Sequence, residues 1–168
     1  HLARTYLDWN ATAPLRPEAR AAMIAALDVM GNPSSVHAEG RRARAVIEDA
    51  RERVAALAGA NPADVIFTSG ATEANATVMA AGWDTIFLSG IEHDSVLGPA
   101  RASGARIVEI PVSRDGIAAA ETIAAHWLRG SEPFGRALVA LQAANSETGV
   151  LQPVAETAAF ARAHGLAM

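Results

Sequence analysis

Between Thr85 and His164 the chain repeats one physical pattern: a short apolar run, then a stretch with apolar residues at helical spacing. Thr85-Ile86-Phe87-Leu88, Ala105 to Pro111 and Ala137 to Ala143 read as strands buried on both sides, because their apolar residues do not alternate with polar ones. Asp94 to Ser103, Ile117 to Arg129 and Pro153 to His164 read as helices between and after them. In the second of these, Ile117, Ala120, Ala124, Trp127 and Leu128 share a side. This alternation predicts an α/β fold: a largely parallel sheet with helices on both faces. The strand order is not readable from the pattern. Upstream, Asp64-Val65-Ile66-Phe67-Thr68 reads as one more strand and Ser69 to Ala80 as a helix.

The first sixty residues are helical in character. Pro17 opens a helix to Met30, with Ala22, Met23, Ala26, Leu27 and Met30 in register, and Gly31 ends it. Asn32-Pro33-Ser34-Ser35 is a turn whose two serines are candidate caps. A helix from Ser35 to Ala58 follows, closed by Gly59. Its apolar stripe runs through Val36, Ala43, Val46, Ile47, Ala50, Val54 and Leu57, and Arg44 stands four residues before Glu48.

Of 168 residues, 51% are apolar and 19% charged, which excludes a disordered chain. The net charge is -4, and a nucleic acid as main partner is not expected of an acidic chain. No run of 18 apolar residues suggests a membrane span, and nothing near His1 resembles a secretion signal, so a cytoplasmic protein is expected. All 14 basic residues are Arg, and there is no Cys. These residues therefore offer no Schiff-base lysine, no thiol nucleophile and no disulfide. No histidine spacing suggests a metal site. Gly165 reads as a helix C-cap and Leu166-Ala167-Met168 as the opening of another strand, so the chain is expected to continue.

Three segments following strands could carry chemistry. Thr68-Ser69-Gly70-Ala71-Thr72-Glu73 leads small residues into a helix, where free amides and hydroxyls hold an anion or simply cap the helix. It is neither a Walker loop nor a dinucleotide motif. Glu92-His93-Asp94-Ser95 places an imidazole beyond a strand, for stacking or proton transfer; alternatively His93 is a surface residue and Asp94 or Ser95 the N-cap. In Asn145-Ser146-Glu147-Thr148-Gly149, Asn145 offers both a donor and an acceptor, to a ligand or to its own turn. In a parallel sheet these segments gather at one edge. His37 stands either at a site rim or on the outside of its helix.

The ordered set is sharper than its members. Tyr-Leu-Asp-Trp-Asn-Ala-Thr-Ala-Pro at 6–14, Gly-Asn-Pro-Ser-Ser-Val-His at 31–37, Phe-Thr-Ser-Gly-Ala-Thr-Glu-Ala-Asn at 67–75, Glu-His-Asp-Ser-Val-Leu at 92–97 and Asn-Ser-Glu-Thr-Gly-Val-Leu-Gln-Pro at 145–153 closely resemble the cysteine desulfurases, pyridoxal-phosphate enzymes of the class V aminotransferase group. The resemblance implies a partial large domain of a fold-type I enzyme over residues 35–168. It implies that residues 1–34 form a segment near the active site or a dimer contact. Ala71 and Thr72 resemble the phosphate grip, His93 the histidine that stacks on the pyridine ring and aids proton transfer, and Asn145 the asparagine near the ring hydroxyl and substrate carboxylate. Ser146 stands where the family commonly has a second Asn; Trp9 and Ala13 also depart from its pattern. The family's pyridine-pairing Asp, Schiff-base Lys, substrate-binding Arg and nucleophilic Cys belong to later blocks than these. The implied reaction removes sulfur from L-cysteine, leaving alanine and an enzyme persulfide, in a homodimer that serves a sulfur acceptor, for instance in iron–sulfur cluster assembly. Selenocysteine lyase, another class V lyase or transaminase, and a non-catalytic binding module are the alternatives.

Overall fold

The computed structural model describes residues 4–118, 123, 125 and 134–168. His1, His126 and Trp127, with most of the helix expected over 117–129, lie outside the described residues. The chain forms two compact units, His1–Phe67 and Thr68–Met168.

The first unit carries α1 (Pro17–Leu27) and α2 (Ala38–Ala58). Pro17 begins α1, where its missing N–H costs no helical bond. The α1 helix stops three residues before Met30 and buries none of its side chains. The start of α2 is set by His37, whose Nδ1 accepts from the Gly40 N–H at 3.3 Å. The expected serine caps are therefore replaced by an imidazole, and His37 is the helix cap, with Glu39 Oε2 3.0 Å from the same ring nitrogen. Gly59 closes α2 with φ +66°. Glu48 pairs with Arg51 at 3.0 Å rather than with Arg44. Most of the expected α2 stripe is exposed, from Ile47 at 36% to Leu57 at 90%; Ala55 is fully buried instead.

The strand expected at Asp64–Thr68 does not form. Pro62–Asp64 is a single 3-10 turn capped by Asn61, and residues 65–68 pair with no strand among the described residues. An apolar run favours extended backbone, but a strand exists only where a neighbour takes its amides and carbonyls. Here Arg51 of α2 bonds the Val65 carbonyl and lays its guanidinium 5.0 Å from the Phe67 ring centroid.

The second unit follows the expected alternation: α3 (Ala71–Met79), β1 (Thr85–Ser89), α4 (Asp94–Ala102), β2 (Arg106–Ile110), β3 (Ala137–Ala140) and α5 (Val154–Ala163). The three strands are parallel in the order β2-β1-β3, with Thr85 opposite Arg106 on one side and Ala137 on the other. Ala167 adds a parallel bridge beyond β3, through Val139 N–H to the Ala167 carbonyl at 2.8 Å and Ala167 N–H to the Ala137 carbonyl at 3.0 Å. The strand-like ending expected at Leu166–Met168 is thus present.

Every residue of β1 is buried, as a central strand covered on both faces must be. Its pleat divides the core. Phe87 joins Ile110, Val139, Ala161 and Leu166 on the α5 face. Ile86 and Leu88 join Met79, Val96, Leu97, Ala100 and Leu138 on the α3 and α4 face. Each of the larger of these side chains (Val, Leu, Ile, Phe, Met) contributes about 1.5–3 kcal/mol by leaving water.

This topology decides where a ligand can sit. The chain leaves β1 for α4 on one face, whereas it leaves the adjacent β3 for α5 on the other. Neighbouring parallel strands whose connections depart to opposite faces open a crevice at their carboxyl ends. His93 follows β1 and Asn145 follows β3.

Candidate functional site

The two loops at that crevice are bolted together. The Ile91 carbonyl accepts from Gln142 Nε2 at 2.8 Å and from Asn145 Nδ2 at 3.2 Å. Beside it, Glu92 Oε1 accepts from the Gln142 N–H at 2.9 Å. Glu92 is 7% exposed, and burial pushes its carboxyl above the ordinary value, opposed by the Gln142 N–H and the Ser89 hydroxyl. The sequence offered Glu92 only as a carboxylate flanking His93 and did not single out Gln142. Their signal was weak: a Glu beside a His, and a Gln at the end of an apolar run.

Asn145 is buried and spends most of its side chain on its own turn. Its Oδ1 accepts from Glu147 N–H at 3.0 Å, Thr148 N–H at 2.9 Å and Thr148 Oγ1 at 3.1 Å. The turn is closed by an antiparallel bridge between Ala144 and Leu151. The amide has two Nδ2 hydrogens, so one donor remains beyond the Ile91 bond. Asn145 therefore shapes its loop and ties it to the His93 loop.

His93 is exposed and occupies the N-cap position of α4, where its Nδ1 accepts from the Ser95 N–H at 3.1 Å. The expected caps, Asp94 and Ser95, lie inside the helix. Ser95 Oγ stands 2.9 Å from the same Nδ1 and accepts from Asn75 Nδ2 of α3 at 2.9 Å. His93, Asn75, Glu92, Gln142, Val96 and Leu138 are among the residues lining an open cleft of about 330 Å³. That is the small end of the ~300–1,000 Å³ range for small-molecule sites.

The start of α3 has no side-chain cap; its N-cap is Gly70, whose missing Cβ would meet nothing within 4 Å. The amides of Ala71 and Thr72 thus head a helix with positive end and open approach. Glu73 does not obstruct them, because its carboxylate folds back onto Ser69, accepting from the N–H at 2.7 Å and the hydroxyl at 2.6 Å. Those two bonds hold the Glu73 carboxyl below its ordinary value. Of the expected site residues, His93 lines the cleft, Asn145 is tied to the His93 loop through Ile91, and Ala71 and Thr72 stand one turn before Asn75. Among the described residues no group of three His, Cys, Asp or Glu is placed to hold a metal. No described helix is long and apolar enough to cross a membrane.

Fold and site together define an α/β unit with an open cleft at the switch point of a parallel sheet. The chain belongs to the aminotransferase class-V family, which matches it over residues 5–168. It is 37% identical over 190 residues to a selenocysteine lyase from Bos taurus, aligning 95% of this chain with 42% of that protein. It is 40% identical over 172 residues to a cysteine desulfurase from Frankia sp. (strain EuIK1), covering 91% and 41%. A NifS-like protein from Rickettsia africae superposes with a TM-score of 0.85 at 33% identity, over 96% of this chain and 45% of that one. The structure of SspA in complex with cysteine superposes with a TM-score of 0.85 at 25% identity, over 97% and 49%. The chain spans about two fifths of the length of these sequence relatives.

Proposed function

We propose that this chain supplies the phosphate-gripping and ring-stacking part of a pyridoxal 5′-phosphate-dependent cysteine desulfurase. The observation that carries the reading is the joining of the His93 and Asn145 loops at the Ile91 carbonyl, at the crevice between β1 and β3. The donor set fits the cofactor. A phosphate suits the uncapped α3 terminus, with the Ala71 and Thr72 amides and the Thr72 hydroxyl as donors. A flat aromatic ring suits stacking on the exposed His93 imidazole, and a ring oxygen suits the remaining Asn145 amide hydrogen.

When bound, the cofactor supplies an electron sink for charge developing at the carbon of an amino acid. The residues of this chain would bind and orient it: the α3 terminus anchors one end, His93 covers a face and holds a proton at Nε2, and Asn145 fixes the ring edge. The 168 residues contain no Lys and no Cys, so covalent attachment and sulfur transfer need groups outside them. L-Cysteine is the substrate in this reading, with alanine and a cysteine persulfide as products, in a cytoplasmic homodimer that passes sulfur to an acceptor protein.

Selenocysteine lyase is the second reading, favoured by the 37% identity to the Bos taurus enzyme. The two separate on one assay of the natural gene product that carries these residues. Alanine release from L-cysteine, with sulfide freed by a reductant, supports the first reading. Turnover of L-selenocysteine alone supports the second. Cofactor loading without turnover of either substrate would remove both and leave a binding module.

A further inference from the structure

We propose that Asn75 and Ser95 are positioning residues that fix His93 as its Nε2–H tautomer, making the imidazole a proton donor at Nε2. Two groups beside the imidazole have a chemically fixed direction. A backbone N–H only donates, so the Ser95 amide at 3.1 Å requires an accepting lone pair on Nδ1. The Asn75 Nδ2 likewise only donates, so Ser95 Oγ accepts at 2.9 Å from α3. An Nδ1 that accepts from the Ser95 amide has no hydrogen to give, so at 2.9 Å the Ser95 hydroxyl is the donor to it. Donors therefore run one way, from Asn75 through Ser95 to His93. A neutral imidazole whose Nδ1 accepts carries its proton on Nε2.

Two helices cooperate in this. The α4 cap supplies the first donor to Nδ1, and α3 sets the polarity of the second. In most N-caps a short oxygen does this work. Using an imidazole instead ties the start of α4 to the protonation state of a residue that lines the cleft. What the donor is for rests on the functional reading above: a group that delivers a proton from Nε2, or hydrogen bonds through it, and takes none up there in its resting state. The tautomer itself does not rest on that reading.

The test is imidazole nitrogen NMR on protein labelled with ¹⁵N-histidine, with Asn75→Asp as the main variant. Aspartate has nearly the shape of Asn75, but its carboxylate only accepts. It draws the Ser95 hydroxyl hydrogen toward itself and turns an Oγ lone pair toward Nδ1. Wild-type His93 should show a protonated Nε2 and an accepting Nδ1, and N75D should raise the Nδ1–H share severalfold. In the background of Ser95→Ala the same N75D change should have no effect, because the hydroxyl that transmits it is gone. Wild-type His93 protonated at Nδ1 would overturn the proposal, and this measurement needs no variant to fold. An N75D effect that persists without the Ser95 hydroxyl would overturn the relay. Adding pyridoxal 5′-phosphate separates the two ideas: an Nε2–H imidazole indifferent to the cofactor keeps this inference and sinks the cofactor reading, whereas a responsive Nδ1–H imidazole does the reverse.

Discussion

Removing the Glu92 carboxylate should destabilise the second unit, and most strongly at acid pH. Glu92 is buried, and its Oε1 receives the Gln142 N–H at 2.9 Å, while the Ser89 hydroxyl at 3.4 Å is a weak second partner. Glu92→Ala leaves that amide without an acceptor, at a cost of about 1–3 kcal/mol. With a urea slope of ~1–3 kcal/mol/M, the midpoint falls by roughly 1 M. The pH dependence has a definite sign. Burial raises the Glu92 carboxyl in the folded state, so the native protein keeps this proton to higher pH than the unfolded chain. The group's stabilising contribution is complete below the unfolded value of about 4.3 and is lost as pH rises through the folded one. The E92A deficit should therefore be largest near pH ~4 and shrink toward neutrality. Glu92→Gln keeps an oxygen for Gln142 and cannot ionise, so it should match wild type at acid pH and exceed it at neutral pH. Urea titrations of the three proteins across this range decide the matter. A deficit that grows with pH, or an E92Q protein as weak as E92A, would refute the reasoning.

Asn145→Ala removes the acceptor for two loop amides and the Ile91 contact; it should cost about 1–3 kcal/mol and raise amide hydrogen exchange at residues 145–149 before the β-strands respond. Phe87→Ala, at the centre of β1 and fully buried, should lose about 3–5 kcal/mol in denaturant melts. Ser69→Ala should raise the Glu73 carboxyl toward its ordinary value in an NMR titration, since both bonds that lower it come from Ser69 and the hydroxyl is the larger. The contribution of Glu73 is present above the unfolded carboxylate value and disappears as pH falls through the folded one. Gly135→Ala should destabilise the entry to β3, because φ is +61° and the new methyl would strike the Asp84 carboxylate that accepts from the Arg136 N–H.

The second unit was legible because its signals are local. Apolar runs at 85–88 and 137–143 give strands, the second ending three residues early at Ala140, and the stretches at 94–103 and 153–164 become helices within two residues of their expected ends. Strand order was not legible, since it depends on which side of β1 each later strand adds. Asp64–Thr68 misled for the same reason: its composition suits a strand, but pairing is supplied by another segment, and Arg51 takes the Val65 carbonyl instead. The caps expected were serines before α2 and Asp94 or Ser95 before α4; at His37 and His93 an imidazole performs the acceptor role usually given to a hydroxyl or carboxylate. His93 and Asn145 could be named from their positions after strands, whereas Ala71 and Thr72 follow a run that forms none. The Ile91 carbonyl, which ties two of their loops together, is a backbone group and leaves no mark in composition.

In the proposed function the α3 terminus, His93 and Asn145 serve one phosphorylated ring. Titrating the ¹⁵N-labelled protein with pyridoxal 5′-phosphate, and in parallel with pyridoxal lacking the phosphate, tests this most directly. Saturable shifts at the Ala71 and Thr72 amides, the His93 ring and the Asn145 side chain are predicted for the phosphorylated compound, with the Ala71 and Thr72 shifts lost for the other. Saturable binding that leaves those residues unmoved, or equal shifts at Ala71 and Thr72 from both compounds, would contradict it.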